Sequence, residues 1–75
     1  MPAKVPHFRR IMRDIREKIR TGELKPGDHL PTTEKLAEEY RVSPPTVRKA
    51  IDMLLELGVL DSRQGVAVWV AEKRE

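Results

Sequence analysis

The side chains of this chain that could do chemistry are mostly cations, and they are unevenly placed. Residues 1–20 hold seven bases (Lys4, Arg9, Arg10, Arg13, Arg16, Lys18 and Arg20) and two acids (Asp14 and Glu17), net +5. Residues 21–75 hold eight bases and ten acids, net −2. A local basic excess suits a polyanion, with nucleic acid ahead of membrane, although a solvated helix face is the plainer explanation. Catalytic groupings are missing. There is no nucleophile–base pair, no metal-ligand constellation and no glycine loop that would cradle phosphate. His7 and His29 stand alone, and there is no cysteine, which removes disulfides and thiolate metal sites. No cofactor is expected.

Size points the same way. The chain has 75 residues, 15 Lys+Arg and 12 Asp+Glu, net +3, with 39% hydrophobic and 4% aromatic residues. Such a chain can fold as one small domain whose core is aliphatic and thin. So small a core leaves little room for a buried pocket, which argues against an enzyme. No apolar run approaches the roughly 20 residues of a membrane span, and the basic N-terminus lacks the apolar stretch of a secretory signal. The expectation is a soluble, intracellular protein, cytoplasmic and nucleoid-associated. Met1 and the closing EKRE favour a complete one-domain protein over a piece of a longer one, with residues 1–5 and 72–75 frayed.

The elements that must carry these cations follow from periodicity. Pro6 is placed to open a helix, because its missing N–H is an orphan there anyway. Phe8, Ile11, Met12, Ile15 and Ile19 form one apolar helical face, while Arg9, Arg13, Arg16 and Arg20 fall on another stripe. Gly22 ends this helix. Residues 22–31 are dense in turn formers, with His29-Leu30 as a very short strand and Leu30 turned inward. Thr32 or Thr33 caps a second helix, with Leu36, Ala37 and Tyr40 on its apolar side. After the connection Arg41-Val42-Ser43, Ser43 is a good N-cap and Pro44 and Pro45 fit the first turn of a third helix. Val47, Ala50, Ile51 and Leu54 are its buried stripe, widened by Leu55 and Leu57, and Gly58 stops it. The period then changes from 3.6 to 2. Residues 59–63 and 66–71 read as strands around a Gln64-Gly65 turn.

Two helices joined by a three-residue turn match the helix-turn-helix motif, and a hairpin directly after them is a wing. A lone hairpin is marginal in water, but one face can rest on the helices while the tip projects. The fold class is therefore mainly α with a small β-hairpin, a winged helix-turn-helix in the order α-β-α-α-β-β. The exposed face of the third helix suits the major groove of DNA, which admits an α-helix.

The strings GELKPGDHLP, TEKLAEEY-RVS, TVRKAI, LLELGVL and SRQGVAVWV resemble the DNA-binding domain of the GntR family of bacterial transcription regulators. The resemblance covers residues 6–71. It implies a winged helix that binds a short palindromic operator as a dimer, with the helix at about 44–57 in the major groove and the wing at 63–66 in the minor groove. It implies DNA contacts at Ser43, Thr46, Arg48, Arg63, Gln64 and Gly65, and Thr33, Lys35, Pro45 and Lys49 are further DNA-contact candidates. Thr46 and Arg48 match the family's T-V-R, which meets phosphate or base edges. Arg63, Gln64 and Gly65 match the wing, where glycine lets the backbone come close to the groove. Lys4, Arg9 and Arg10 are further phosphate candidates. Several of these residues have plainer roles: Arg48 as an ion-pair partner of Asp52 one turn on, Ser43 as a helix cap, Trp69 as packing or a self-association contact, and His29 as a turn side chain.

Three departures from the family pattern matter. Pro44 and Glu34 stand where arginine is common, and Phe8 stands where a tyrosine is common. Two cationic contacts are thereby missing, with Lys35 and Lys49 in part replacing them, so the operator should differ from the commonest family pattern. The effector-binding domain usual in the family is absent from these residues, and no small-molecule effector is evident. The functional expectation is a sequence-specific binder of double-stranded DNA, a transcription repressor, forming a homodimer if an apolar patch on the first helix or Trp69 allows it. A winged-helix protein-interaction module and a non-specific nucleic-acid binder are the alternatives.

Overall fold

The computed structural model describes residues 7–63 and 67–72. The first helix, α1, runs His7–Thr21. Its apolar stripe turns inward: Ile11 and Ile15 are buried, and Phe8, Met12 and Ile19 pack partly against the same core. Gly22 ends it with φ 91°, a left-handed conformation that costs glycine nothing. The Gly22 N–H donates to the Ile19 carbonyl at 3.2 Å, and the Leu24 N–H to the Lys18 carbonyl at 3.0 Å. Pro6 lies outside the described residues.

The second helix, α2, is Thr33–Tyr40. Of the two candidate caps, Thr32 takes the role: its hydroxyl accepts from the Lys35 N–H at 3.2 Å. Glu34 in the first turn complements the positive end of the helix. Arg41 closes α2 in the left-handed region, φ 58° and ψ 49°, and is the one described non-glycine residue with positive φ. That conformation makes the sharp reversal into the third helix, α3, which is Pro44–Glu56.

Ser43 holds the N-cap position of α3, but its side chain makes no capping bond to the backbone. The reason is the pair of prolines. Pro44 and Pro45 have no N–H to donate, and the Thr46 N–H goes to the Ser43 carbonyl at 3.0 Å. The Ser43 hydroxyl instead lies 3.1 Å from the Thr46 hydroxyl. At the other end of α3 the expected apolar stripe is cut short. Leu57 is 58% exposed rather than packed, because the helix has ended at Glu56 and Gly58 turns the chain away. Leu55 does pack partly against the core.

The strands are β1, Leu60–Arg63, and β2, Ala67–Val70, antiparallel, with Leu60 opposite Val70 and Asp61 opposite Trp69. Residues 64–66 at the hairpin tip lie outside the description. The short strand expected at His29-Leu30 is reduced to a single bridge, His29 to Trp69. Its backbone still laces to the outer side of β2. The Leu30 N–H donates to the Val68 carbonyl at 2.9 Å, the Gly27 N–H to the Val70 carbonyl at 2.8 Å, and the Val70 N–H to the Asp28 carbonyl at 2.8 Å. Leu30 packs partly against the core, as its inward turn requires. Pro26 and Gly27 turn the segment too sharply for more than this bridge.

The core joins all five elements: Ile11 and Ile15 from α1, Leu36 and Ala37 from α2, Val47, Ala50, Ile51 and Leu54 from α3, Leu60 from β1 and Val70 from β2. It is aliphatic, and no polar side chain among the described residues is buried. α3 is the element the others pack around, because α1, α2 and β1 all contact it. Its inward face is fixed by that packing, so its opposite face is committed to solvent.

Candidate nucleic-acid interface

Residues 47, 50, 51 and 54 of α3 are buried. The same i, i+3, i+4, i+7 spacing displaced by two residues gives Pro45, Arg48, Lys49 and Asp52, and all four are exposed. Thr46 is half-buried at the border between the faces. Three of the residues singled out from sequence (Pro45, Arg48 and Lys49) therefore share one outward surface, with Ser43 and Thr46 at its N-terminal end. The ion pair that would have occupied Arg48 is not formed: among the described residues the ion pairs are Lys18 with Asp14 and Arg20 with Glu17. The Arg48 guanidinium makes no ion pair among the described residues.

The start of α3 has a particular chemistry. A helix N-terminus ordinarily offers free N–H groups to an anion. Here two of the first three positions are proline and the third N–H is already bonded, so the backbone offers little. The Ser43 and Thr46 hydroxyls, bonded to each other, are the polar groups left facing outward from that end.

Lys35 is exposed on the first turn of α2 and Thr33 beside it is half-buried. Arg63, at the end of β1, is exposed. Gln64 and Gly65, the remaining wing candidates, lie outside the described residues, as does Lys4. The structure thus places the α2–α3 candidates on consecutive elements and Arg63 at the foot of the hairpin loop.

Two features carried no local signal in the sequence. The Lys49 ammonium sits over the Phe8 ring, 4.7 Å from its centroid, and the Arg9 guanidinium lies 5.9 Å from the same ring. The sequence marks Phe8 as part of the apolar face and as a departure from the family's tyrosine, not as a partner of Lys49. The Tyr40 hydroxyl donates to the Asp14 carboxylate, fastening α2 to α1. Burial, then the Asp14 bond and the charges of Asp14 and Glu39, push the phenol well above the ordinary tyrosine range. Trp69 is half-buried and lies against His29, ring centroids 5.5 Å apart and tilted by 51°. Trp69 thus packs within the chain, one of the two roles the sequence suggested for it.

Of the α1 arginine stripe, Arg9, Arg13, Arg16 and Arg20 are exposed and line an open groove with Met12 and Glu17. Arg20 is engaged by Glu17, which lowers the carboxyl pKa and raises that of the guanidinium through their hydrogen bond. No group of His, Cys, Asp or Glu among the described residues could hold a metal ion, and no described helix is long and apolar enough to cross a membrane.

Three helices in this order, a left-handed reversal between the second and third, and a hairpin packed behind them define a winged helix-turn-helix. Residues 8–70 match the model of the bacterial regulatory proteins of the gntR family, and the chain belongs to that family. It is 49% identical over 69 residues to the mannosyl-D-glycerate transport/metabolism system repressor MngR of Escherichia coli, a match covering 92% of this chain and 29% of that protein. It is 32% identical over 72 residues to the histidine utilization repressor of Klebsiella aerogenes, covering 96% of this chain and 30% of the other. The chain thus spans under a third of the length of either repressor. Among solved structures, YtrA from Sulfolobus acidocaldarius, a GntR-family transcription factor, superposes with a TM-score of 0.89 at 35% identity, covering 96% of this chain and 76% of that one. The AraR DNA-binding domain in complex with operator ORX1 gives 0.86 at 34% identity, covering 91% and 82%.

Proposed function

We propose that this chain is the DNA-binding domain of a transcription regulator, acting as a repressor, and that it reads double-stranded DNA by sequence. The outward face of α3 enters the major groove, with Arg48 and Lys49 meeting base edges or phosphate, and Pro45 and Thr46 beside them. Ser43, Thr33 and Lys35 meet the flanking backbone. The hairpin tip, with Arg63, Gln64 and Gly65, reaches the adjacent minor groove. The observation that carries this reading is Arg48, exposed and in no ion pair among the described residues, on the face of α3 opposite its buried stripe. The likeness to AraR bound to operator DNA supports the same docking. The protein works in the cytoplasm at the nucleoid, without a catalytic role, as a homodimer on a palindromic operator.

Selection from a random duplex pool followed by sequencing tests this. A palindrome should emerge, bound several orders of magnitude more tightly than random duplex, with a steep salt dependence. Equal affinity for every duplex at moderate salt would overturn the proposal.

A further inference from the structure

Lys49 is exposed, and Asp52, three residues on, is near enough along the helix to pair with it. It does not. The ammonium leans back onto Phe8 of α1, 4.7 Å from the ring centroid. The face of an aromatic ring is electronegative and attracts a cation within about 6 Å. Arg9 lies 5.9 Å from the same ring, so two cations from different helices are gathered at one half-buried aromatic. Gathering like charges raises the local positive potential and favours an anion beside them.

We infer that Phe8 is a positioning residue, whose ring holds Lys49 ready to meet a DNA phosphate at the edge of the α3 surface. The inference rests on the reading that α3 docks on DNA. Lysine is a flexible point charge, and fixing its long stem before binding removes an ordering cost from the complex. A phenyl ring does this without a hydroxyl of its own. Phe8 thus serves the interface through Lys49 and not by touching the nucleic acid. The three N–H donors of the ammonium are not consumed by the ring, so they stay available to phosphate oxygens.

The test uses the 75-residue chain and the duplex recovered by selection, with the variants Phe8→Leu, Phe8→Tyr, Lys49→Met and the Leu/Met double variant. In the free protein the Lys49 ε-methylene protons should show an upfield ring-current shift, retained in Phe8→Tyr and lost in Phe8→Leu. An ordinary shift in the unaltered protein overturns the inference. With DNA, Lys49→Met should weaken binding and lower the log–log salt slope by about 0.9, one phosphate contact. Phe8→Leu should weaken binding about two- to fivefold, the worth of an exposed cation–π contact, while keeping the slope. Phe8→Leu should cost nothing further once Lys49 is Met, and Phe8→Tyr should bind like the parent. An equal loss from Phe8→Leu with or without Lys49 would show that the ring serves only the fold. Lys49→Met that binds like the parent, with operator still preferred over random duplex, overturns this inference and leaves the DNA reading intact. Failure of the unaltered chain to prefer any duplex removes both.

Discussion

The Tyr40 hydroxyl and the Asp14 carboxylate are hydrogen-bonded across 26 positions of sequence, tying the last turn of α2 to the middle of α1. Asp14 also faces Lys18, 3.6 Å away on its own helix. The contact fixes how α2, and therefore the turn into α3, is held against the rest of the molecule.

Tyr40→Phe keeps the ring and removes the hydroxyl. Asp14 is 43% exposed, so water replaces the lost donor in part. The expected cost is about 1 kcal/mol, that of an ordinary hydrogen bond. Urea denaturation monitored by circular dichroism measures it. A variant as stable as the parent would show that the bond contributes nothing.

The burial of the Tyr40 phenol, together with this bond, makes stability fall in alkali. The phenol is held above its ordinary value in the folded chain, chiefly by burial. Unfolded tyrosine loses its proton near pH 10. Below that pH both states carry the proton and the contribution is complete. Above it the unfolded chain gives up its proton while the folded chain keeps it, and stability declines as pH rises. Lysines also titrate there, so the informative quantity is the gap between the parent and Tyr40→Phe. That gap should narrow as pH rises above about 10. A constant gap would remove Tyr40 as the cause.

Arg41→Gly should stabilise the protein. Arg41 sits at φ 58°, where an L side chain crowds its own backbone and the cost is roughly 1–2 kcal/mol. Glycine relieves the crowding but adds freedom to the unfolded chain. The balance is a gain of about 0.5 kcal/mol, read as a higher urea midpoint. A drop would mean that the arginine side chain makes a compensating interaction.

Arg48→Ala addresses recognition. The side chain is exposed and in no ion pair among the described residues, so truncation should leave folding unchanged. Affinity for the selected duplex should fall by about 1–3 kcal/mol if the guanidinium meets a base edge. The loss should be concentrated at one position of the site. A uniform loss across all sequences would assign Arg48 to phosphate instead.

Much of this was legible because α3 is a regular helix with an unbroken 3.6 period. Val47, Ala50, Ile51 and Leu54 are the residues that periodicity selects, and all four are buried. The residues two positions earlier then had to face out, which placed Pro45, Arg48 and Lys49 together. Periodicity failed where a helix stops. Leu57 fits the apolar spacing but lies beyond the last turn. Capping propensity picked Ser43 for its position, yet the two prolines after it left its side chain no backbone donor to accept from. The links between Phe8 and Lys49 and between Tyr40 and Asp14 join residues far apart in sequence, and no local pattern marks them. Nor did Arg41 announce its left-handed turn, since glycine is the usual marker of that conformation.

The lacing of residues 27–30 along β2 also bears on solubility. A sheet margin with unpaired amides is a template on which foreign chains can add and grow into fibrils. Here the 27–30 segment already occupies one such margin. The other belongs to β1, which is four residues long, with Asp61 and Arg63 exposed on it. Short and charged, it is a poor seed for cross-chain stacking, so concentrated solutions should resist assembly into β-aggregates.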